Sequence, residues 1–203
     1  MAESVDVRLT LVSASPRRAE LLQQLGVPFD IFPSQVSERW VAENGSELAI
    51  DNARRKVERS PLCGDRSRLL LGADTLIQTD SRILGKPAGP ESARRMLQIL
   101  SGRQHEVITG VCLAAPAADP QAPLIWADAA AVSQVLFHGL SSDKIRSYIR
   151  SGEWEGKAGA YAIQGMAGEF VAYLNGEFDN VVGLPVQLIR DLLRQKFIHC
   201  RFC

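Results

Sequence analysis

The sequence predicts an α/β fold built on a mixed β-sheet. Three observations carry that reading. Strand-like segments are interleaved with amphipathic helical segments along the whole chain. Turn signals between neighbouring apolar segments predict hairpins, which place antiparallel pairs in the sheet. The chain has 203 residues, 46% of them hydrophobic, enough for the core of a single domain.

The elements follow in order. Val7–Val12 alternates apolar and polar residues and then ends on an apolar pair, as a strand does. Arg17–Leu25 places Leu21, Leu22 and Leu25 on one helical face, and Gly26 is positioned to stop it. Ala49–Glu58 reads as a second helix with Ala49, Ala53 and Val57 inward. Leu69–Ile77 is an apolar strand interrupted by Asp74 and Thr75. Thr79–Ser81 reads as a turn into a strand at Arg82–Leu84. Pro90 opens a helix over Glu91–Leu100, where Ala93, Met96, Leu97 and Leu100 share a face. His105–Ala114 and Leu124–Phe137 are strands, joined by the Ala- and Pro-rich connection Ala115–Pro123. Lys144–Arg150 is helical, with Ile145, Tyr148 and Ile149 together. Phe170–Leu174 is a strand, and Asn175-Gly176 signals a tight turn. Val186–Lys196 is the closing amphipathic helix. The expected core spans residues 7–197 of one domain covering 1–203, with the tail 198–203 unassigned.

Twenty-three basic residues balance twenty-three acidic ones. That balance lacks the broad positive field of a nonspecific nucleic-acid binder, so no nucleic-acid polymer is expected as a partner. No apolar run reaches membrane-spanning length, and the N-terminal stretch reads as no secretory leader. Cys63, Cys112, Cys200 and Cys203 are too scattered for a disulfide framework. The expectation is a soluble, cytoplasmic protein without a membrane partner. Cys200 and Cys203 form a CxxC pair, but a structural zinc needs two further ligands. The tail therefore reads as dispensable. His105 and His138 accompany no nucleophile motif, and Trp40, Trp126 and Trp154 are too dispersed for a base-stacking platform.

Four segments concentrate chemistry. In Ser13-Ala14-Ser15-Pro16-Arg17-Arg18, Ser15 suits an N-cap and Pro16 the first helical position. Arg17 and Arg18 then sit at the positive end of a helix, where an anion would resolve the conflict. The bland alternative points both guanidiniums into water. In Gly72-Ala73-Asp74-Thr75, a carboxylate inside an apolar strand requires a partner, a hydrogen bond or a metal. Gly72 permits close approach of a backbone or a ligand. Lys86, in Gly85-Lys86-Pro87, offers a point charge to a phosphate or is merely solvated. Gly156–Gly165 is either a Gly-rich wall against a ligand or a tight connection, and Gln164 within it can read a base edge or cap a backbone group.

Six stretches, in order, resemble the Maf family of nucleoside triphosphate pyrophosphatases: LVSASPRRAELLQQLGV, GADTLI, ILGKP, MLQILSGRQHEVITGV, YIRSGEWEGKAGAYAIQG and NVVGLP. The resemblance implies two lobes about a cleft, in a fold related to inosine triphosphate pyrophosphatases. It implies hydrolysis of a nucleoside triphosphate to the monophosphate and pyrophosphate with a divalent cation, Mg²⁺ or Mn²⁺, by a homodimer. Matched by position, it makes Asp74 catalytic and places Ser13, Arg17, Arg18, Lys56 and Lys86 on phosphates. It gives Asp74 and Glu38 to the metal, and Arg17, Thr75 and Gln164 to substrate choice. Gly156 stands where many members carry Asp. GADT and NVVGLP favour the branch acting on dTTP and UTP over the branch acting on 7-methyl-GTP. A third alternative is a nucleotide-binding regulator of cell division without turnover, against which the complete set of Asp74, Arg17, Arg18 and Lys86 argues.

Overall fold

The computed structural model describes residues 4–40, 44–80 and 82–203. The chain runs β1 (Val5–Leu11), α1 (Pro16–Leu22), β2 (Phe29–Ile31), α2 (Gly45–Glu58), β3 (Arg68–Thr79), β4 (Arg82–Leu84) and α3 (Pro90–Leu100). It continues through β5 (Gln104–Ala115), β6 (Ile125–Phe137), α4 (Ser142–Ser151), β7 (Val171–Asn175), α5 (Phe178–Val182), α6 (Val186–Lys196) and β8 (Cys200–Phe202). The strands form one sheet in the order β2-β1-β3-β5-β6-β7, with β4 on β3 and β8 on β1. β1 runs parallel to β2, β3 and β8, whereas β3, β5, β6 and β7 are antiparallel in turn. The sheet is therefore mixed, as expected.

Alternation along β3 organises everything else. Leu69, Leu71 and Ala73 join one apolar core, and Ile77, on the same face, joins another. The first core lies under α1 and α6 through Leu21, Leu22, Val186 and Ile189. The second lies under α3 and α4 through Leu97, Leu100, Ile145 and Tyr148. Thr75 falls between them, where neither core covers the strand. The even-numbered residues of β3 face α2 instead, with Leu70 against Ala53 and Val57 and Leu76 against Leu48 and Ala49.

α2 lies unusually close to the sheet. A Cβ on Gly72 would come within 2.5 Å of the Ala53 carbonyl oxygen, and one on Gly110 would collide with the backbone of Ala49 and Ile50. The close approach that Gly72 permits is thus to a helix backbone, not to a ligand. Asn44 caps α2, its Oδ1 accepting from the amides of Ser46 and Glu47.

Three short elements escape the sequence pattern: β2, α5 and β8. Asn175-Gly176 does turn the chain, but into α5 rather than into a partner strand. The Thr79–Ser81 turn includes Ser81, which lies outside the described residues. The tail needs correction. Cys200–Phe202, in the stretch that reads as dispensable, is a parallel strand on Val5–Val7, and Cys200 is buried in the first core. The Val5 amide donates to the His199 carbonyl at 2.9 Å, and the Cys203 amide to the Val7 carbonyl at 3.2 Å. The physical reason is an open stretch of β1 edge: β2 pairs only with Leu9–Leu11, leaving Val5–Val7 for the returning chain. Among the described residues no helix is long and apolar enough to cross a membrane.

Candidate active site

β1 stops where β3 continues. β1 pairs with Arg68–Leu71 of β3, and β4 pairs with Ile77–Thr79 on the same edge, since β5 occupies the other. Among the described residues, the intervening edge of β3, around Ala73–Leu76, carries no neighbouring strand. A cavity of about 580 Å³ opens beside it. Its walls include Ser13–Arg18, the loop carrying Glu38, Lys56, Thr75, Lys86, Glu155–Ala158 and Tyr161–Gln164. A crevice beyond the carboxyl end of a parallel strand is where open sheets of this type hold ligands.

The first wall is the β1–α1 connection. Ser15 is the extended N-cap and Pro16 opens the helix, as the sequence predicts. The two arginines behind it part ways. The Arg18 guanidinium folds toward the sheet, where Nε donates to the Gly183 carbonyl at 2.8 Å, Nη1 to Ser13 Oγ at 3.2 Å and Nη2 to Thr75 Oγ1 at 3.1 Å. Among the described residues, three of its five N–H groups are thus held by protein and two remain. Arg17 is half-buried in the cavity wall. Burial, and then the neighbouring Arg18, push its pKa below the ordinary arginine value. A second cation beside it is unfavourable until an anion arrives.

The second wall joins β3 to α2. Asp74 is 1% exposed and does not line the cavity. Its Oδ1 accepts from Lys56 Nζ at 2.6 Å and its Oδ2 from Asn52 Nδ2 at 3.0 Å. Lys56 Nζ also donates to Glu38 Oε1 at 2.8 Å and to the Ala73 carbonyl at 3.1 Å. An ammonium has three protons, and all three are committed here. The position matched to phosphate therefore holds a buried clamp between two carboxylates, because a buried cation must satisfy its donors within the protein. Lys86 is different: its half-exposed ammonium donates to Glu38 Oε1 and Oε2 at 2.7 and 2.9 Å. It can turn outward to a phosphate.

The two carboxylates are inequivalent. For Glu38 the cost of burial is outweighed by Lys56 and Lys86, and its pKa is lowered to about 2. Burial raises the Asp74 carboxyl above the ordinary range, with Lys56 opposing and Glu38 reinforcing the rise. Asp74 is thus the more basic of the pair.

Asn52 is a site residue that sequence reading missed. Its Oδ1 accepts from the Arg39 amide at 2.8 Å, and its Nδ2 donates to the Arg39 carbonyl at 3.0 Å as well as to Asp74. One buried amide thereby ties the Glu38 loop to the Asp74 strand. The available signal was its spacing, one helical turn before Lys56 on the inward face of α2.

The third wall is the Gly-rich segment, where Gly159 and Gly165 pack closely and Gly156, at φ +65°, stands in open space. Gly159 has φ +64°, and a Cβ there would meet Ile77 Cγ1 at 2.6 Å. A Cβ on Gly165 would collide with the Glu153 carboxylate. The tight-connection reading holds for both. Gln164 is exposed at the cavity rim, and among the described residues its amide makes no hydrogen bond. In all, Arg17, Arg18, Lys56, Lys86 and Lys157 face Glu38 and Glu155, with Asp74 just behind. The excess of positive charge suits a polyanion.

The comparisons with known proteins decide the family. Residues 8–196 match the family model described as "Maf-like protein". The chain belongs to the Maf family. A relative from Ruminiclostridium cellulolyticum named "dTTP/UTP pyrophosphatase" is 39% identical, covering 92% of this chain and 95% of its own. Relatives of the same name from Thermococcus onnurineus and Brucella abortus are 41% and 43% identical, covering 91% and 94% of this chain and 95% and 92% of theirs. Among solved structures, a HAM1 protein from Coxiella burnetii overlaps with a TM-score of 0.38 and 19% identity, covering 64% of this chain and 73% of that one. That overlap is too loose to carry an argument.

Proposed function

We propose that this Maf protein hydrolyses dTTP and UTP to the nucleoside monophosphate and pyrophosphate. The observation that carries the reading is the cation-rich cavity at the open edge of β3, with Glu38 in its wall and Asp74 just behind, both held by Lys56. Three relatives that match this chain over nine-tenths of its length bear that activity as their name.

Water attacks the α-phosphorus, the bond to the bridging oxygen breaks, and pyrophosphate leaves. Charge builds on the phosphoryl oxygens and on the departing group. The two spare N–H groups of Arg18, together with Arg17 and Lys86, stabilise it. Ser13 holds Arg18 and stands beside it in the wall. Asp74 takes the proton of the attacking water on a lone pair that Lys56 and Asn52 leave open. Lys56 therefore acts on the carboxylates, not on a phosphate. Gln164 presents both a donor and an acceptor, matching the N–H and carbonyl shared by thymine and uracil. Arg17 and Thr75 complete the proposed specificity set.

Asp74 and Glu38 also fit a Mg²⁺ or Mn²⁺ ion. Their oxygens converge on one cation, Lys56 Nζ, at 2.6 and 2.8 Å. One or two carboxylates plus substrate phosphates is the donor set that Mg²⁺ takes. When bound, such an ion supplies neutralising charge to the phosphates. A homodimer belongs to the same reading, supported by the exposed Val132 on β6 and Tyr173 on the edge strand β7. A cytoplasmic setting is supported by four unpaired cysteines.

The test is pyrophosphate release from a panel of dTTP, UTP, dCTP, dATP, dGTP and 7-methyl-GTP. The reading expects dTTP and UTP to lead. A lead by 7-methyl-GTP would move the chain to that branch, and no release from any would leave a binding protein.

A further inference from the structure

Behind the cavity wall runs a chain of hydroxyl groups with only one possible direction. Thr109 on β5 lies opposite Thr75 on β3 in the antiparallel register. It is completely buried and does not line the cavity. Its Oγ1 donates to the Asn180 carbonyl of α5 at 3.0 Å and lies 3.0 Å from Thr75 Oγ1. A hydroxyl has one proton, and a carbonyl has none to give. The Thr109 proton therefore goes to Asn180, and the bond between the two threonines must run from Thr75 to Thr109. Thr75 has then spent its own proton. Toward Arg18 it can only accept, and it does so from Nη2 at 3.1 Å.

The far end of the chain is anchored. Asn180 is completely buried, and its Nδ2 donates to the Val107 carbonyl at 3.1 Å and to Ser133 Oγ at 2.9 Å. Three residues further on, the Gly183 carbonyl takes Arg18 Nε directly. Two of the three acceptors that hold Arg18 thus depend on α5: one is Gly183 itself, and the other is Thr75, oriented through Thr109.

We propose that Thr109, with the Asn180 carbonyl, is a positioning residue. It orients the Thr75 hydroxyl as an acceptor and so aims the two free N–H groups of Arg18 at the substrate phosphates. Its effect on turnover rests on the pyrophosphatase reading above, whereas its effect on phosphate binding does not.

Thr109→Val keeps the shape and removes the hydroxyl; Thr109→Ser keeps the hydroxyl. In Thr109→Val, kcat/KM should fall about ten-fold, by the same factor for dTTP and UTP, because Arg18 serves the phosphates they share. Thr109→Ser should stay within about three-fold of the parent. The decisive measurement is a double-mutant cycle: in an Arg18→Ala background, Thr109→Val should cost nothing further. Independent, multiplying losses would overturn the proposal, as would a Thr109→Ser enzyme as impaired as Thr109→Val. Binding of inorganic tripolyphosphate by calorimetry separates the two readings. If the parent hydrolyses no triphosphate, the pyrophosphatase reading fails. The relay still stands if Thr109→Val weakens tripolyphosphate and Thr109→Ser does not, and falls if neither does. Thr109→Ala removes the same hydroxyl with a smaller side chain and replaces Thr109→Val in the cycle if that variant does not fold.

Discussion

Removing Ile198–Cys203 should destabilise the protein without slowing it at 25 °C. The loss can be worked from the strand it deletes. Ile198 is 85% exposed and contributes little. Cys200 is buried in the first core and Phe202 is partly buried against it. Burying a small thiol and part of an aromatic ring is worth about 2–3 kcal/mol together. The pairing bonds to Val5–Val7 contribute about 1 kcal/mol each. The conformational entropy of ordering the strand opposes those bonds. The apolar burial sets the scale of the loss, at most about 2–3 kcal/mol. For a domain of this size that is a fall in Tm of about 5–10 °C. Differential scanning calorimetry on the full-length and truncated proteins reads it directly, and kcat for dTTP at 25 °C serves as the control. β8 lies along the start of β1, whereas the cavity lies beyond its end, so kcat should hold. An unchanged Tm would refute the reasoning and make the tail dispensable after all.

Asp74→Asn keeps the shape and removes the base, so turnover should fall about 10²–10⁴-fold in pyrophosphate-release assays; near-parental turnover at saturating metal would take Asp74 out of the chemistry. Burial lowers the pKa of His105 to about 4, whereas the unfolded chain titrates near 6.5. Below pH 6.5 the unfolded state binds the extra proton, so stability declines from pH 6.5 to 4, by about 3 kcal/mol, and is complete above that window. His105→Gln should flatten this slope in urea titrations at pH 7.5 and 4.5, and equal slopes would count against it. Gln164→Ala should narrow the preference for dTTP over dCTP. Because Gln164 is exposed at the rim, the expected change is about 1 kcal/mol, or about five-fold, less than a fully buried reader would give. An unchanged ratio would assign base reading elsewhere.

The long elements were legible because each repeats one period often enough to identify a face. α3 shows it with Ala93, Leu97 and Leu100, and α6 was read to its ends. Arg17, Arg18 and Asp74 were legible for the opposite reason: charge at a helix start and inside an apolar strand violates a local rule, and the violation marks a site. Sequence by itself thus determined the α/β class, the main helices, the residues that break local rules and the family those residues resemble.

Tertiary structure decided what partners they have. Lys56 was readable as a cation but not as a clamp, because its three acceptors come from the Glu38 loop and β3. Asn52, Thr109 and Asn180 left little local trace, since a buried amide or hydroxyl gains its meaning from a partner 22 to 71 residues away. Arg18 reaches 165 residues to Gly183. β8 is three residues long and exists because β1 leaves Val5–Val7 unpaired by β2. Periodicity is a property of neighbours in sequence, so the chain displays it before folding. Satisfaction of a buried donor or of a strand edge is a property of neighbours in space, and only the folded sheet supplies them.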